Sequence, residues 1–347
     1  MRVSQKALIA LCIVSTFSQS GCRNPVDWGG GFPTKAGPIL FISDKSGTSQ
    51  LYSMDDDGSK IQQLTFDPNF QIAAAKWSPD GNSIAATRVT YRSGIGVNSL
   101  YIMNADGTGR HLLTNGRFTV QDSAYGELHY GGITGGVVWS PDSRQVAFAS
   151  WLYYELVPNS DVFIMSVDSS GWRRITTQNA ESVRGENLHI WAVTGWSRSE
   201  DRGDLLVGDL QYLVNPSGEG SQPADSIIIF GLDGKSTMCR TDGGGNARLS
   251  SDGQKISYPV YAGKQGIQIV DIDGTVIGFI NITLDSGAGQ QPIPVCWSAD
   301  DTKILVDFIS SAGVKVWILD LQSSETKDVT PFKNYDGWQA ATSWRGR

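Results

Sequence analysis

The chain has 347 residues, 40 of them glycine, with only 18% charged residues and a formal net charge of −7. Glycine stands well above the roughly 7% of average proteins, which suits many turns between short strands. Its 40% apolar content excludes a disordered polar chain, and an acidic body without a basic run excludes nucleic acid as a partner.

Arg2 and Lys6 precede an apolar run from Ala7 to Phe17. A membrane-crossing helix needs about 20 apolar residues, so this run reads as an export signal over residues 1–21. Ser20-Gly21-Cys22 follows the pattern of a bacterial lipobox, in which the cysteine becomes lipidated and then N-terminal. Gln19 departs from the aliphatic residue of that pattern, which leaves ordinary secretion as the alternative. The expectation is an exported lipoprotein, anchored to the membrane through Cys22 and facing the periplasm or the cell surface. Residues 22–36, with three consecutive glycines, read as a flexible tether. Removing residues 1–21 takes two positive charges away and moves the net charge from −7 to −9. Cys239 and Cys296 fall in non-adjacent repeats, so two buried thiols are expected rather than a disulfide.

From Trp77 onward the chain repeats itself. Trp77-Ser78-Pro79-Asp80-Gly81 recurs as Trp139-Ser140-Pro141-Asp142, then as Trp196-Ser197-Arg198, Leu249-Ser250-Ser251-Asp252-Gly253, Trp297-Ser298-Ala299-Asp300 and Trp344-Arg345-Gly346. The intervals are 62, 57, 53, 48 and 47 residues, the length of a four-stranded propeller blade with insertions in the early copies. An apolar run leads into each tryptophan, and the Ser-Pro-Asp-Gly step is a tight turn. A second strand follows (Ser83–Thr87, Gln145–Ala149, Lys255–Tyr258, Lys303–Phe308). A third ends at an Asp-Gly hairpin, as at Asp106-Gly107 and Asp273-Gly274. The chain begins out of phase, with strands at Ile39–Ile42, Gln50–Met54 and Ile61–Thr65 but no tryptophan strand before them. Gln339–Trp344 supplies a first strand with nothing after it. The expected fold is therefore all-β: a six-bladed β-propeller over residues 37–347, its last blade closed by the N-terminal strands plus the C-terminal strand.

The Trp-Ser-Pro-Asp-Gly turn and the Leu-Tyr-x-Met-x-x-Asp-Gly hairpins at Leu51 to Gly58 and Leu100 to Gly107 resemble the TolB-type propeller repeats. The resemblance covers roughly Gly37 to Arg347 and implies an envelope protein. It is expected to be a variant without the separate N-terminal domain of TolB, so the TolB partner is not carried over.

The repeat tryptophans read as blade packing. Asp55-Asp56-Asp57-Gly58 fails as a calcium loop, because positions 6 and 12 are Lys60 and Phe66 instead of Gly and Glu. Gly234-Lys235-Ser236 lacks the leading glycine of a phosphate loop. Of three histidines, His111 follows a turn on an outer strand, and no catalytic signature includes any of them. No metal or other cofactor is expected.

The long insertions, residues 116–131, 151–160, 178–190 and 212–225, all belong to one face over blades two to four. They carry Tyr125, His129, Tyr130, Trp151, Tyr153, Tyr154, His189 and Trp191, with Asp122, Glu127, Glu155, Glu181 and Glu186 among them and Arg117 and Arg184 as local basic residues. Aromatics among carboxylates on a loop face suit binding of a protein, peptide or glycan; packing of the loops on themselves is the competing reading. The expectation is a monomeric, non-catalytic envelope binding or scaffold protein. The alternatives are a polysaccharide hydrolase or lyase with a histidine/carboxylate site, and a subunit of an envelope assembly that would show an exposed apolar patch.

Overall fold

The computed structural model describes residues 36–345 apart from 93–94, 123–125, 153–158, 177–186, 200–202, 215–220, 234–235, 241–245, 261–264, 283–290, 311–312, 334 and 336. Among the described residues the chain forms 25 β-strands and no helix. It opens with β1 (Ile39–Ser43), β2 (Gln50–Met54) and β3 (Gln62–Gln63), whose sheet is completed by the last strand, β25 (Gln339–Trp344). Ile39 lies opposite Trp344 and Ser43 opposite Gln339. The out-of-phase ends therefore meet in one sheet, in the order β25-β1-β2-β3.

Antiparallel meanders follow. The first is β4 (Ile72–Trp77), β5 (Ser83–Arg92), β6 (Ile95–Asn104) and β7 (His111–Thr114). Next come β8 (Arg117–Asp122), β9 (Gly126–Trp139), β10 (Gln145–Leu152), β11 (Asn159–Ser166) and β12 (Trp172–Arg174). A third holds β13 (Asn187–Ser199), β14 (Gly203–Val214), β15 (Ser221–Gly231) and β16 (Ser236–Arg240). Single bridges, Asn98 to Ile133 and Ser160 to His189, join these meanders into one 13-stranded sheet. Two separate four-stranded sheets complete the chain. One is β17 (Arg248–Leu249), β18 (Lys255–Val260), β19 (Gly266–Asp271) and β20 (Val276–Asn281); the other is β21 (Gln291–Trp297), β22 (Lys303–Ser310), β23 (Gly313–Asp320) and β24 (Thr326–Asp328). The arrangement is that of a β-propeller.

The core lies between meanders rather than within them. Leu40 and Leu51 of the first sheet pack with Ile84 and Met103 of the next meander, while Ile39 and Phe41 pack with Leu305 and Val316 near the other end of the chain. Further clusters join Leu100 to Phe148, Val138 to Leu206, Val207 to Ile256 and Ile269 to Ile304. Each strand alternates side chains between two faces, so a meander buried on both sides carries apolar residues at successive positions, as β1 does.

The repeat residues have separable structural tasks. The indole N–H of Trp77 donates to the Pro38 carbonyl, that of Trp139 to Lys76 and that of Trp297 to Arg248, each at 3.0 Å and each in the neighbouring unit. The tryptophan is a latch between units. In the decayed copy Trp196 turns back to its own unit, towards Asp204 at 3.4 Å, and Leu249 replaces the indole altogether. Gly195 makes room for that leucine, since a Cβ there would come within 2.4 Å of it. The repeat serine hydroxyl donates to the aspartate two residues on, at 2.5 to 2.6 Å for Ser78, Ser140, Ser250 and Ser298. It also accepts the amide five residues on, at 2.9 to 3.0 Å. These hydroxyls hold the Asp142 and Asp300 carboxyls below the usual carboxylate range.

The last turn position has positive φ in every one of these four copies: Gly81 71°, Ser143 61°, Gly253 71° and Asp301 54°. Where glycine is replaced, the new side chain bonds the turn of another unit. Ser143 Oγ accepts the Asp80 amide at 3.0 Å, and Asp301 accepts the Ser251 and Asp252 amides at 2.6 and 2.9 Å. Left-handed strain is thus offset by a contact between units. Asp301→Ala keeps the strain and loses both bonds, so urea unfolding is expected to show a loss of about 1–2 kcal/mol.

Candidate functional site

The 116–131 insertion is a β-hairpin rather than an irregular loop. β8 pairs with the start of β9 from Arg117 opposite Gly131 to Asp122 opposite Gly126. Its root is tight: Gly116 has φ 71°, and a Cβ on it would come within 2.9 Å of the Gly132 Cα. The buried Ser150 hydroxyl is shared by the Gly116 and Gly132 carbonyls, at 3.0 and 2.8 Å.

Period-two alternation gives this hairpin two faces. Phe118, Leu128 and Tyr130 are buried, with Val120 packed beside them. The Phe118 ring stacks on Phe163 at 4.6 Å and meets Trp172 at 4.9 Å. Thr119, Gln121, Glu127 and His129 occupy the exposed face. There Glu127 links two neighbours: His129 Nε2 lies 3.1 Å from Oε1, and the Gln121 amide donates to Oε2 at 3.0 Å. Thr119 Oγ1 lies 3.3 Å from His129 Nδ1.

A charged network anchors the hairpin from below. Arg174 on β12 pairs with Asp122 of β8 at 2.6 Å and with Asp161 of β11 at 3.5 Å. It also donates to the Tyr130 hydroxyl at 3.1 Å, and Tyr130 donates in turn to Asp161. Thr176 donates to the other Asp161 oxygen at 2.7 Å. Burial pushes the Asp161 carboxyl up to about 6, against the opposing pull of these hydrogen bonds and of Arg174, and burial beside Asp161 raises the Tyr130 hydroxyl as well.

The sequence-selected residues therefore separate. His129 is exposed on the hairpin, whereas Tyr130 is its buried anchor. Trp151 is half-buried on β10, opposite Ser160. His189 and Trp191 take positions on β13, with His189 opposite Tyr212. Tyr125, Tyr153, Tyr154 and Cys22 lie outside the described residues, as do Glu155, Glu181, Arg184 and Glu186. Parts of the other insertions are also strand. β9, β13, β14 and β15 run 14, 13, 12 and 11 residues, against 6 for both β18 and β19. Among the described residues no three histidine, cysteine or acidic side chains are placed to hold a metal ion.

A second feature was not selected from sequence. A cavity of about 180 Å3 lies where β4, β9, β13, β17, β21 and β25 converge. Its lining includes the residue just before every repeat tryptophan or its substitute: Lys76, Val138, Gly195, Arg248, Cys296 and Ser343. The Cys296 thiol is free and is raised by burial; Cys239 is on β16, opposite Ile227.

Together these features define an all-β propeller built of antiparallel meanders, with strands extended on one side. Part of the chain is similar in sequence to TolB. It is 31% identical over 145 residues to the Tol-Pal system protein TolB of Anaeromyxobacter dehalogenans, covering 42% of this chain and 28% of that protein. The chain thus matches less than a third of that relative's length. Among solved structures it resembles TolB from Acinetobacter baumannii, with a TM-score of 0.58 at 16% identity over 90% of this chain and 67% of the other. A putative TolB from Agrobacterium tumefaciens gives 0.52 at 15% identity, over 89% and 98%. Oligogalacturonate lyase from Vibrio parahaemolyticus gives 0.50 at 11% identity, over 86% and 76%. These structural likenesses carry the fold alone. No family model matches the chain.

Proposed function

We propose that this protein is a non-catalytic, six-bladed cell-envelope binding protein that engages a protein, peptide or glycan with the face bearing its extended strands. The observation that carries the reading is the β8–β9 hairpin. It adds an exposed polar surface of Thr119, Gln121, Glu127 and His129 and fixes it with a buried ionic network. Fixing a surface in advance lowers the ordering cost of binding, whereas a solvated loop would need no such anchor. Closure into six blades is supported by the β1–β25 pairing and by core clusters that each span two adjacent meanders. The name of the curated relative, a component of the Tol-Pal system, supports an envelope setting.

The test is a pull-down from envelope extracts with the chain beginning at Cys22. A variant carrying Thr119→Lys, Glu127→Lys and His129→Ala on the exposed hairpin face is expected to lose the captured partner while melting normally. Capture unchanged by the three substitutions would refute the reading. A second reading, a subunit of an envelope assembly, is favoured by β20, which exposes Val276 at 63% and Ile277 at 52% on an outer strand. Ile277→Lys in the same pull-down separates the two, since only the assembly reading expects it to abolish capture. Anchoring at Cys22 predicts that Cys22→Ser moves the protein from the membrane to the soluble fraction.

A further inference from the structure

The axial cavity has a charge pattern at odds with the rest of the molecule. The chain is acidic, with a net charge of −7, yet the only charged side chains among the described residues lining this cavity are Lys76 and Arg248. Both occupy the same place in the repeat, one residue before the tryptophan position, so they project from two inner strands towards one axis. Neighbouring positions on that ring are Val138, Gly195, Cys296 and Ser343, which bring no compensating carboxylate.

The two cations are held differently. Arg248 is fixed by its own backbone surroundings: Nε donates to the Val295 carbonyl at 2.8 Å and Nη1 to the Ala247 carbonyl at 2.7 Å. Lys76 makes no side-chain hydrogen bond or ion pair among the described residues, and its backbone carbonyl is already taken by Trp139. The carboxyl that interacts with both is Asp307, on β22 behind the cavity wall, where it accepts the Ala341 amide at 3.2 Å. Burial pushes Asp307 up to about 8, so its neutral form is favoured at pH 7. Burial lowers Lys76 to about 8, with the repulsion of Arg248 acting in the same direction and Cys296 and Asp307 opposing it. Two like charges therefore share a confined, partly desolvated space, an arrangement that an anion relieves.

We propose that the axial cavity is a binding site for a small oxyanion, a carboxylate or phosphate group, held between the Lys76 ammonium and the Arg248 guanidinium. The volume of about 180 Å3 accommodates one such group and a few waters, each of which takes about 30 Å3. Ammonium and guanidinium donors suit oxyanions through charge-assisted hydrogen bonds. Pro79, Ser250 and Ser251 of the inner turns also line the cavity, so its mouth is on the turn side. That is the opposite end of the propeller from the β8–β9 hairpin, and the site is independent of the proposed partner face.

Isothermal titration of the chain beginning at Cys22, with inorganic phosphate in one arm and succinate in the other at constant ionic strength, tests this. Saturable one-site binding is expected in at least one arm, and the arm that binds identifies the source of the oxyanion. Lys76→Met is expected to weaken it by at least tenfold, Lys76→Arg to retain it, and the surface control Lys255→Met to leave it unchanged. Thermal melting guards against a folding defect. Without anion, Lys76→Met should melt no lower than wild type, because it removes one of two repelling charges. With phosphate or succinate, only wild type and Lys76→Arg should gain in Tm. Absence of saturable binding in both arms, or equal binding by Lys76→Met, would overturn the proposal.

Discussion

Deleting residues 338–347 is expected to abolish cooperative folding, leaving a chain that aggregates instead of melting in one transition. The deletion removes β25 and leaves one edge of β1 without its ladder. Ile39, Leu40, Phe41 and Ile42 are completely buried in the intact protein and would face solvent on that side. Longer-range ties go as well. The Trp77 amide loses the Ser343 hydroxyl at 3.1 Å, Asp307 loses the Ala341 amide, and Arg345, whose guanidinium lies 4.3 Å from the Trp77 ring centroid, no longer bonds the Ala36 and Gly81 carbonyls. A six-residue strand buried between two units contributes several kcal/mol, comparable with the total stability of about 5–15 kcal/mol of a typical domain. Far-UV circular dichroism against temperature, with light scattering, reads the outcome. A truncated chain with an unchanged, cooperative melt would show that the N-terminal sheet stands without its last strand.

Arg174→Met should cost about 3–5 kcal/mol, the penalty for leaving buried carboxylates without their counter-ion. Asp161 is 1% exposed and Asp122 close to buried, so neither recovers the loss by turning to water. The pH dependence has a definite sign. The folded-state value of Asp161 is about 6, above the ordinary carboxylate value near 3.9. Its contribution is therefore fully present below about pH 4 and is lost as pH rises through 6. Without Arg174 the carboxyl is held protonated still more strongly, so the deficit of Arg174→Met should be smaller at pH 5 than at pH 8. Adding Asp161→Asn should recover part of it at pH 8. Denaturant unfolding at both pH values tests the sign; an equal deficit at each would mean that Asp161 does not titrate in this network.

The repeat was legible because its residues answer local demands. Ser and Asp close the turn on their own backbone, glycine supplies positive φ, and the tryptophan needs an acceptor in the preceding unit. Gln50–Met54 and Gln339–Trp344 are strands with the bounds read from sequence. Ser83–Thr87 reads five residues short of the observed Arg92, because Arg88 and Thr90 interrupt the apolar run that marks the start of the strand. The 116–131 insertion looked like a loop for a related reason: with the neighbouring glycines, its alternation of Phe118, Val120, Leu128 and Tyr130 with polar residues reads as irregular until both arms are paired. Tyr130 stood out as an aromatic residue in an insertion, but its buried partners come from Asp161 and Arg174, distant in sequence. The axial cavity shows the opposite case. Its signal was present in the residue preceding each tryptophan, and only the convergence of inner strands gives Lys76 and Arg248 a shared meaning.

In the proposed function, the extended-strand face is the working face of the propeller. Site-specific photo-crosslinking in intact cells tests it directly, with the photoreactive residue at position 129 on the hairpin or at position 325 in the β23–β24 turn at the opposite end. A discrete adduct is expected from position 129 and none from position 325. The same adduct from both positions, or one from 325 alone, would contradict it.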